Sequence, residues 1–249
     1  MKDLSLVMGV KIDSKQRQAN LDLVVAHFQY HFPEIEIILV ENDNVPRLKN
    51  RYDCSYHFLP YAGYFDRQSA VSLGIERSQR RFVALHDADV VLSKEATVEG
   101  LDLVEKHLWV YPYDGRFYNV LRDLHDRIKE TKEVDWIDVK DCRLMHPQSV
   151  GGSIFFDRKT LIKGGSVNKR IKGNGYDDNE LYARFRILGY RPERVQRPLF
   201  HLDHPRLDTA FENNKDAGSN QRELYRIARM SKEQIEKEIG GSSPKNLLL

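Results

Sequence analysis

Three clusters in this chain combine residue types and spacings that suit chemistry on a charged substrate. The first is His86-Asp87-Ala88-Asp89, directly after the apolar run Phe82-Val83-Ala84-Leu85. Two carboxylates two residues apart on a tight turn present oxygens to a hard divalent cation and to a ribose. This is the only D-x-D triplet in the sequence, although such a triplet alone also describes a solvated turn. The second cluster is Gly173-Asn174-Gly175-Tyr176-Asp177-Asp178-Asn179-Glu180-Leu181. Acidic side chains favour a helix N-terminus, where they cap free N–H groups and complement the dipole, and this accounts for one or two of them. The glycines upstream suggest a loop beside a site, where one carboxylate serves as general base toward an acceptor hydroxyl. The third cluster is Phe200-His201-Leu202-Asp203-His204-Pro205. Its two imidazoles would complete an octahedral site, and imidazole with carboxylate suits manganese better than calcium; an isolated histidine pair is more often ordinary surface or core.

These clusters need elements to position them. Leu4–Val10 reads as a buried strand, and Leu21, Val24, Val25, Phe28 and Phe32 form one face of a helix that Pro33 stops. Residues 35–40 (IEIILV) read as a second strand, 63–78 as a helix and Phe82–His86 as a third strand. Strand and helix in alternation are the mark of parallel βαβ units, whose ligands sit outside the carboxyl ends of the strands. Asp87 and Asp89 fall at such an end. Further on, 97–108 reads as helix, 110–113 as strand, and Val120, Leu121, Leu124 and Ile128 as one helical face. Gly151-Gly152 turns into a strand over 153–156, Asp157 caps a short helix, and Leu181, Phe185 and Leu188 lie on a later one. The aromatics of 109–114 (WVYPYD) are either core or a stacking surface for an acceptor sugar. From about residue 219 two charged amphipathic helices follow, with Ser231 and Gln234 as a capping box, and 240–249 reads as a frayed end. The expected architecture is α/β, a Rossmann-like domain over 1–218 with a mostly parallel central sheet flanked by helices, extended by a helical tail over 219–249.

Composition narrows the function. Of 249 residues 41% are hydrophobic and 31% charged, ordinary for a globular chain, and a formal net charge of +2 lacks the basic footprint of a dedicated nucleic-acid binder. Cys54 and Cys142 stand in no CxxC or Cys/His cluster and read as reduced thiols. There is no signal-peptide pattern, no membrane-spanning run and no Asn-x-Ser/Thr sequon, which together predict a cytoplasmic protein. Arg222, Arg226, Arg229, Lys232 and Lys237 of the tail read as a solvated face, with peripheral association at the inner face of a membrane as the alternative.

Taken in order and spacing, residues 4–205 resemble the GT-A fold glycosyltransferases, in particular the β-1,4-galactosyltransferase-like group with its bacterial relatives among chondroitin and capsule synthases. Phe65-Asp66-Arg67-Gln68-Ser69-Ala70-Val71-Ser72-Leu73-Gly74 resembles the helix before the metal strand, His86 to Asp89 the D-x-D turn, and Val150-Gly151-Gly152-Ser153 the entry to a sugar-facing strand. Gly173 to Leu181 resembles the W-G-G-E-D-D motif, and His201 with His204 the late metal ligands. The resemblance implies that Asp89 binds a metal, Mn²⁺ or Mg²⁺, with His204 as second ligand and His201 as third. It further implies that Asp87 lies near the ribose, that Arg67 contacts phosphate, that Gly152 lies in the sugar-facing entry, and that Asp177 binds donor or acceptor hydroxyls. Asp178 would be the base, and the nucleobase would sit near Glu41-Asn42-Asp43. The implied reaction is inverting transfer of a hexose or N-acetylhexosamine from a UDP-sugar to a hydroxyl of a glycan or lipid-linked glycan. Asn174 and Tyr176 depart from the motif, where the family has tryptophan and glycine, which leaves donor sugar and acceptor open. Two other readings are an inactive glycan-binding scaffold and a sugar nucleotidyltransferase, but Lys11-Ile12-Asp13-Ser14-Lys15 lacks the glycine-rich phosphate loop of the latter.

Overall fold

The computed structural model describes residues 2–205 and 214–241. Its centre is a seven-stranded sheet of β1 (Leu4–Val10), β2 (Glu36–Asp43), β3 (Ser55–Pro60), β4 (Phe82–His86), β6 (Trp109–Tyr111), β9 (Ser153–Asp157) and β10 (Glu193–Arg194), in the order β10-β6-β9-β4-β1-β2-β3. The run β3-β2-β1-β4 is parallel throughout; the alternation of strand and helix predicts this for β2, β1 and β4, whereas β3 follows β2 without a helix and is not read from the sequence. Only β9 runs against its neighbours β4 and β6. Chain order reverses at β1, which lies between β2 and β4, so the crevice expected at a topological switch point opens at the ends of these three strands.

The helices that cover this sheet have identifiable boundaries. In α1 (Lys15–His31) the Ser14 hydroxyl accepts from the Arg17 N–H at 3.1 Å, and Leu21, Val24, Val25 and Phe28 are buried. Its last turn closes on Phe32, one residue before Pro33. In α2 (Arg67–Arg77) Asp66 caps the first turn through Ser69, and Gly74 brings the helix onto β1. A Cβ at Gly74 would fall on the Val7 side chain, which is fully buried. The third helix, α3 (Lys94–His107), starts a turn earlier than its apolar face suggests because Ser93 caps it.

A second, four-stranded sheet is not expected as such from the sequence, which shows only one of its strands, the strand-like Pro198-Leu199-Phe200 before the histidine pair. It contains β5 (Val90–Val91), β7 (Phe117–Val120), β8 (Arg143–His146) and β11 (Leu199–Leu202), in the order β5-β11-β7-β8. The helical face read through Val120, Leu121, Leu124 and Ile128 is corrected by it. Val120 ends β7 and is paired with Leu202, Leu121 is exposed, and only α4 (His125–Thr131) carries Ile128 into the core. The spacing matched a helix, but pairing with β11 holds Val120 extended, and the chain turns at 122–124 before α4 begins. The 109–114 aromatics resolve as core: Trp109, Tyr111 and Tyr113 are fully buried, and Trp109 stacks on Phe156 at 5.8 Å.

Four shorter or later helices follow among the described residues. Asp157 caps α5 (Arg158–Lys163), as expected. Tail helices α7 (Ala217–Ala228) and α8 (Lys232–Gly241) follow α6 (Asp177–Ile187), and α7 packs on α6. The capping box is formed, with Ser231 N–H donating to Gln234 Oε1 at 2.7 Å and Gln234 N–H donating back to Ser231 Oγ. Of the basic tail residues, Arg226 is taken up by ion pairs with Glu223 and Glu238 rather than left as a bare charge. Beyond Gly241 the end expected to fray lies outside the described residues.

Gly74→Ala tests the close approach of α2 to β1. Ala gains about 1 kcal/mol in helix propensity, but its methyl group strikes a core side chain with nowhere to go, so a net loss of about 1–2 kcal/mol is expected in urea unfolding. A variant as stable as the parent would show that α2 does not rest on β1 through this glycine.

Candidate active site

Three side chains converge at the end of β4. Asp89 sits on the turn between β4 and β5, His201 on β11, and His204 just beyond it. One ligand atom from each lies within 4.8 Å of the others. The Asp89 Oδ2 is 3.0 Å from His204 Nε2 and 3.8 Å from His201 Nε2. The far nitrogen of each ring is already committed. His201 Nδ1 faces Asn119 Oδ1 at 2.8 Å, and Asn119 Nδ2 donates to Asp203, so its amide oxygen is the group turned toward the ring. His204 Nδ1 faces the Pro205 carbonyl at 2.9 Å. Both rings therefore donate from Nδ1 and aim Nε2 at a carboxylate. Such a set of acceptors requires protons or a cation between them, and two imidazoles with one carboxylate form a donor set for a divalent transition metal. Burial pushes the Asp89 carboxyl up, but His201, His204 and Arg17 outweigh it and hold it well below the usual carboxylate range.

The turn that carries Asp87 and Asp89 is pinned from beneath. His86 is buried, its Nε2–H donates to the Val90 carbonyl at 2.9 Å, and its Nδ1 accepts from the Ser153 hydroxyl at 2.9 Å. Burial lowers its pKa to about 4, so the ring stays neutral. The Asp87 N–H donates to the Gly152 carbonyl at 2.8 Å, which joins this turn to the Gly151-Gly152 turn. Gly152 has φ +80°, and a Cβ there would come within 2.7 Å of the Phe117 ring. Gly151 is held by Tyr113, whose hydroxyl donates to its carbonyl at 2.6 Å.

Arg67 gathers the acidic residues. Its Nη2 lies 2.8 Å from Asp87 Oδ1, its Nη1 2.8 Å from Asp177 Oδ2 and 3.5 Å from Asp178 Oδ1. The side chain is only 12% exposed, so it is a buried clamp on three carboxylates and not a helix-surface charge. Asp177 also accepts from Gln68 Nε2 at 2.8 Å and is buried by its two partners. Asp178 instead faces the cleft. A Cβ on Gly151 would overlap its carboxylate, so that carboxylate fills the space left by the missing side chain. Burial, with Asp177 and Asp87 close by, raises the Asp178 pKa well above the ordinary carboxylate range against the pull of Arg67.

Asp87, Asp89, Gly152, Asp178, His201 and His204 line one cleft of about 400 Å³. Arg17 also lines it, 3.5 Å from Asp89 and 3.4 Å from Asp13. Asp13 and Asp43 border a second cavity of about 650 Å³ at the ends of β1 and β2, together with Lys11, Lys15 and Arg47. Glu41 does not reach either cavity. It is fully buried, and its oxygens accept from the Arg47 and Leu48 N–H groups and from the Tyr56 hydroxyl, so it fastens the loop after β2 and is not placed to touch a ligand. Arg17 and Asn119 escaped the sequence reading. Both are single residues of common type, and only the pairing of β7 with β11 puts Asn119 behind His201.

Comparison with solved structures defines the fold. The catalytic domain of Drosophila β1,4-galactosyltransferase 7, in complex with xylobiose, aligns over 92% of this chain and 81% of its own, with a TM-score of 0.57 and 14% identity. A variant of the same enzyme in complex with manganese, UDP-Gal and xylobiose aligns over 92% and 79%, with a TM-score of 0.57 and 13% identity. Staphylococcus aureus TarS in complex with UDP-GlcNAc aligns over 95% and 70%, with a TM-score of 0.61 and 10% identity. The chain has the GT-A fold of these glycosyltransferases. No protein-family model matches the sequence, and no curated protein matches it.

Replacing Arg67 with Met leaves buried Asp177 and its neighbours without their counter-charge and is expected to cost about 3 kcal/mol near neutral pH. The carboxyls of the variant would then have folded-state pKa values above those in the unfolded chain. The folded state would hold the extra protons, and stability would fall as pH rises through those values. Urea unfolding should show a smaller deficit under mildly acidic than under mildly alkaline conditions. An equal deficit at both would mean that Arg67 contributes packing and not charge.

Proposed function

We propose that this protein is an inverting glycosyltransferase, transferring a hexose or N-acetylhexosamine from a UDP-sugar to a hydroxyl of a glycan acceptor. The observation that carries the proposal is the presence of a metal-type donor set, Asp89 with His201 and His204, in the same cleft as the raised carboxyl of Asp178. The GT-A fold supports it, as does the chemistry of its structural neighbours, which bind UDP-GlcNAc, UDP-Gal with manganese, and xylobiose.

Asp89, His204 and His201 would hold Mn²⁺ or Mg²⁺, and such an ion, when bound, offsets charge on a diphosphate leaving group. The protein's own groups do the rest. Asn119 and the Pro205 carbonyl hold both imidazoles in the tautomer that donates from Nδ1 and turns Nε2, the atom that would ligate, toward Asp89. Asp87, fixed by Arg67 and the Gly152 carbonyl, is set for a ribose hydroxyl. Asp178 takes the acceptor proton at its carboxylate. Its raised pKa makes it a stronger base than an exposed carboxylate would be, and a base facing the donor from the acceptor side leads to inversion. Arg67 acts here by aiming Asp87, Asp177 and Asp178, while Arg17, beside Asp89, is the cation nearer a phosphate. The cavity at the ends of β1 and β2, bordered by Asp43, would take the nucleoside.

Two measurements test this reading. Calorimetric titration with UDP should show binding that requires Mn²⁺ and disappears in Asp89→Ala; metal-independent binding, or none, would remove the donor site. Asp178→Asn should bind UDP as the parent does and lose about 10²–10⁴-fold in kcat. In the parent, kcat/KM should rise with pH along an acidic limb placed above the ordinary carboxylate range, because only ionised Asp178 accepts a proton. Near-normal turnover in Asp178→Asn would show that another group is the base.

A further inference from the structure

The loop that delivers Asp178 adopts a conformation its own sequence does not favour. Gly173 has φ +68°, Gly175 φ +105° and Tyr176 φ +66°, three left-handed residues in a stretch of four. For tyrosine this region is costly by roughly 1–2 kcal/mol, so neighbouring structure has to impose it. Tyr176 immediately precedes α6, and the loop sets both the direction of that helix and the position of Asp178 in its first turn.

The imposing structure comes from the far end of the chain. Asn220 on α7 has no exposed surface, and its side-chain amide bonds the loop three times. Its Oδ1 accepts from the Lys172 N–H at 3.0 Å, and its Nδ2 donates to the Lys172 carbonyl at 2.8 Å and to the Gly175 carbonyl at 3.2 Å. It thus does for the loop what a neighbouring strand does for an edge. Asn214 adds donations to the Lys172 and Asn174 carbonyls at 3.0 and 2.7 Å, and Gln221 donates to the Tyr176 hydroxyl at 3.1 Å. A side chain at Gly173 would meet Tyr64 at 2.5 Å, so the loop is trapped between the segment before α2 and these three amides. None of the three lines the cleft of Asp89 and Asp178.

We propose that Asn220, supported by Asn214 and Gln221, is a positioning residue for acceptor activation: α7 holds the loop over 172–176 in the one conformation that puts Asp178 in line with the acceptor hydroxyl. This rests on the glycosyltransferase reading above. It assigns the start of the tail a part in the reaction that packing alone would not require, and it separates the two halves of the site. The donor half is built on β4, β5 and β11. The acceptor base depends on α7.

The test is Asn220→Ala, which removes all three bonds, with Asn220→Asp, isosteric with the parent, as the harsher variant: it keeps the acceptor for Lys172 N–H but turns a buried carboxylate oxygen toward the Lys172 and Gly175 carbonyls. Three quantities are read in each: affinity for UDP with Mn²⁺, hydrolysis of the UDP-sugar by water, and transfer to the acceptor. Displacing a catalytic group by about 1 Å costs on the order of 10²-fold. Transfer should fall by about that factor in kcat for Asn220→Ala and by at least as much for Asn220→Asp. Donor hydrolysis, in which water takes the acceptor's place before the same base, should fall with transfer, while UDP affinity, which does not use Asp178, should stay within about twofold. Transfer unchanged in both variants would overturn the positioning role. A parallel decline of all three readouts in Asn220→Ala would overturn it too, by showing that the amide only maintains the fold. If the parent protein neither turns over a UDP-sugar nor binds UDP, the glycosyltransferase reading fails and takes this one with it. A parent that transfers normally alongside unaffected Asn220→Ala and Asn220→Asp sinks the positioning role alone.

Discussion

The site depends on one cation holding three anions. Arg67 reaches out from the first turn of α2 and meets Asp87 from the β4 turn and Asp177 and Asp178 from α6. Three carboxylates at this spacing would repel one another and drive each other's protonation upward. With the guanidinium among them they become a fixed array, and α2, the β4 turn and α6 are held at one point. The sheet order makes the meeting feasible, since β1, on which α2 packs, is the direct neighbour of β4. Asp66 caps α2 and sets Arg67 at its start. The arrangement is then closed from the other side by Gly151, whose lack of a side chain leaves room for Asp178 alone.

Charge is also distributed unevenly across the cleft. At the acidic end, one arginine is shared among three carboxylates. At the other end Asp89 faces two imidazoles and has Arg17 beside it, a setting that favours its ionised form. The same residue type is therefore driven in opposite directions a short way apart, Asp178 toward its neutral form and Asp89 firmly into its ionised form. Opposed environments of this kind let two carboxyl groups of one site take different roles.

Much of the fold was legible because its central strands are long apolar runs with clear ends. Leu4–Val10 and Phe82–His86 are read to the residue from their sequence pattern, and Asp157 marks a helix start by its chemistry, whereas the caps at Ser14 and Ser93 went unread. The small sheet was not legible. Val90–Val91 is too short to show a period, and β8 is half exposed, with a pattern that reads as loop. Its strands exist because they pair with partners far away in sequence, which local propensity cannot reveal. The same limit applies to the site. Asp87, Asp89, Asp178, His201 and His204 stand out as acidic or imidazole clusters. Asn119 and Asn220 do not, because an amide whose partners lie 82 and 48 positions away looks like any polar residue. Glu41 misled for the converse reason: a carboxylate at the end of a strand suggests a ligand, yet its oxygens are spent on the loop that follows.

The two sheets meet at the turn 87–89. His86 closes β4 in the large sheet, and Val90 opens β5 in the small one, where it pairs with His201. Asp89 and His201 thus belong mechanically to the small sheet and would travel with it. Asp178, wedged against the turn before β9 and tied through Arg67 to α2, travels with the large one. The group of Asp89, His201 and His204 and the carboxylate of Asp178 are thus anchored in different sheets, with the turn 87–89 spanning between them. A three-residue turn is then the joint on which the working distance of the site is set.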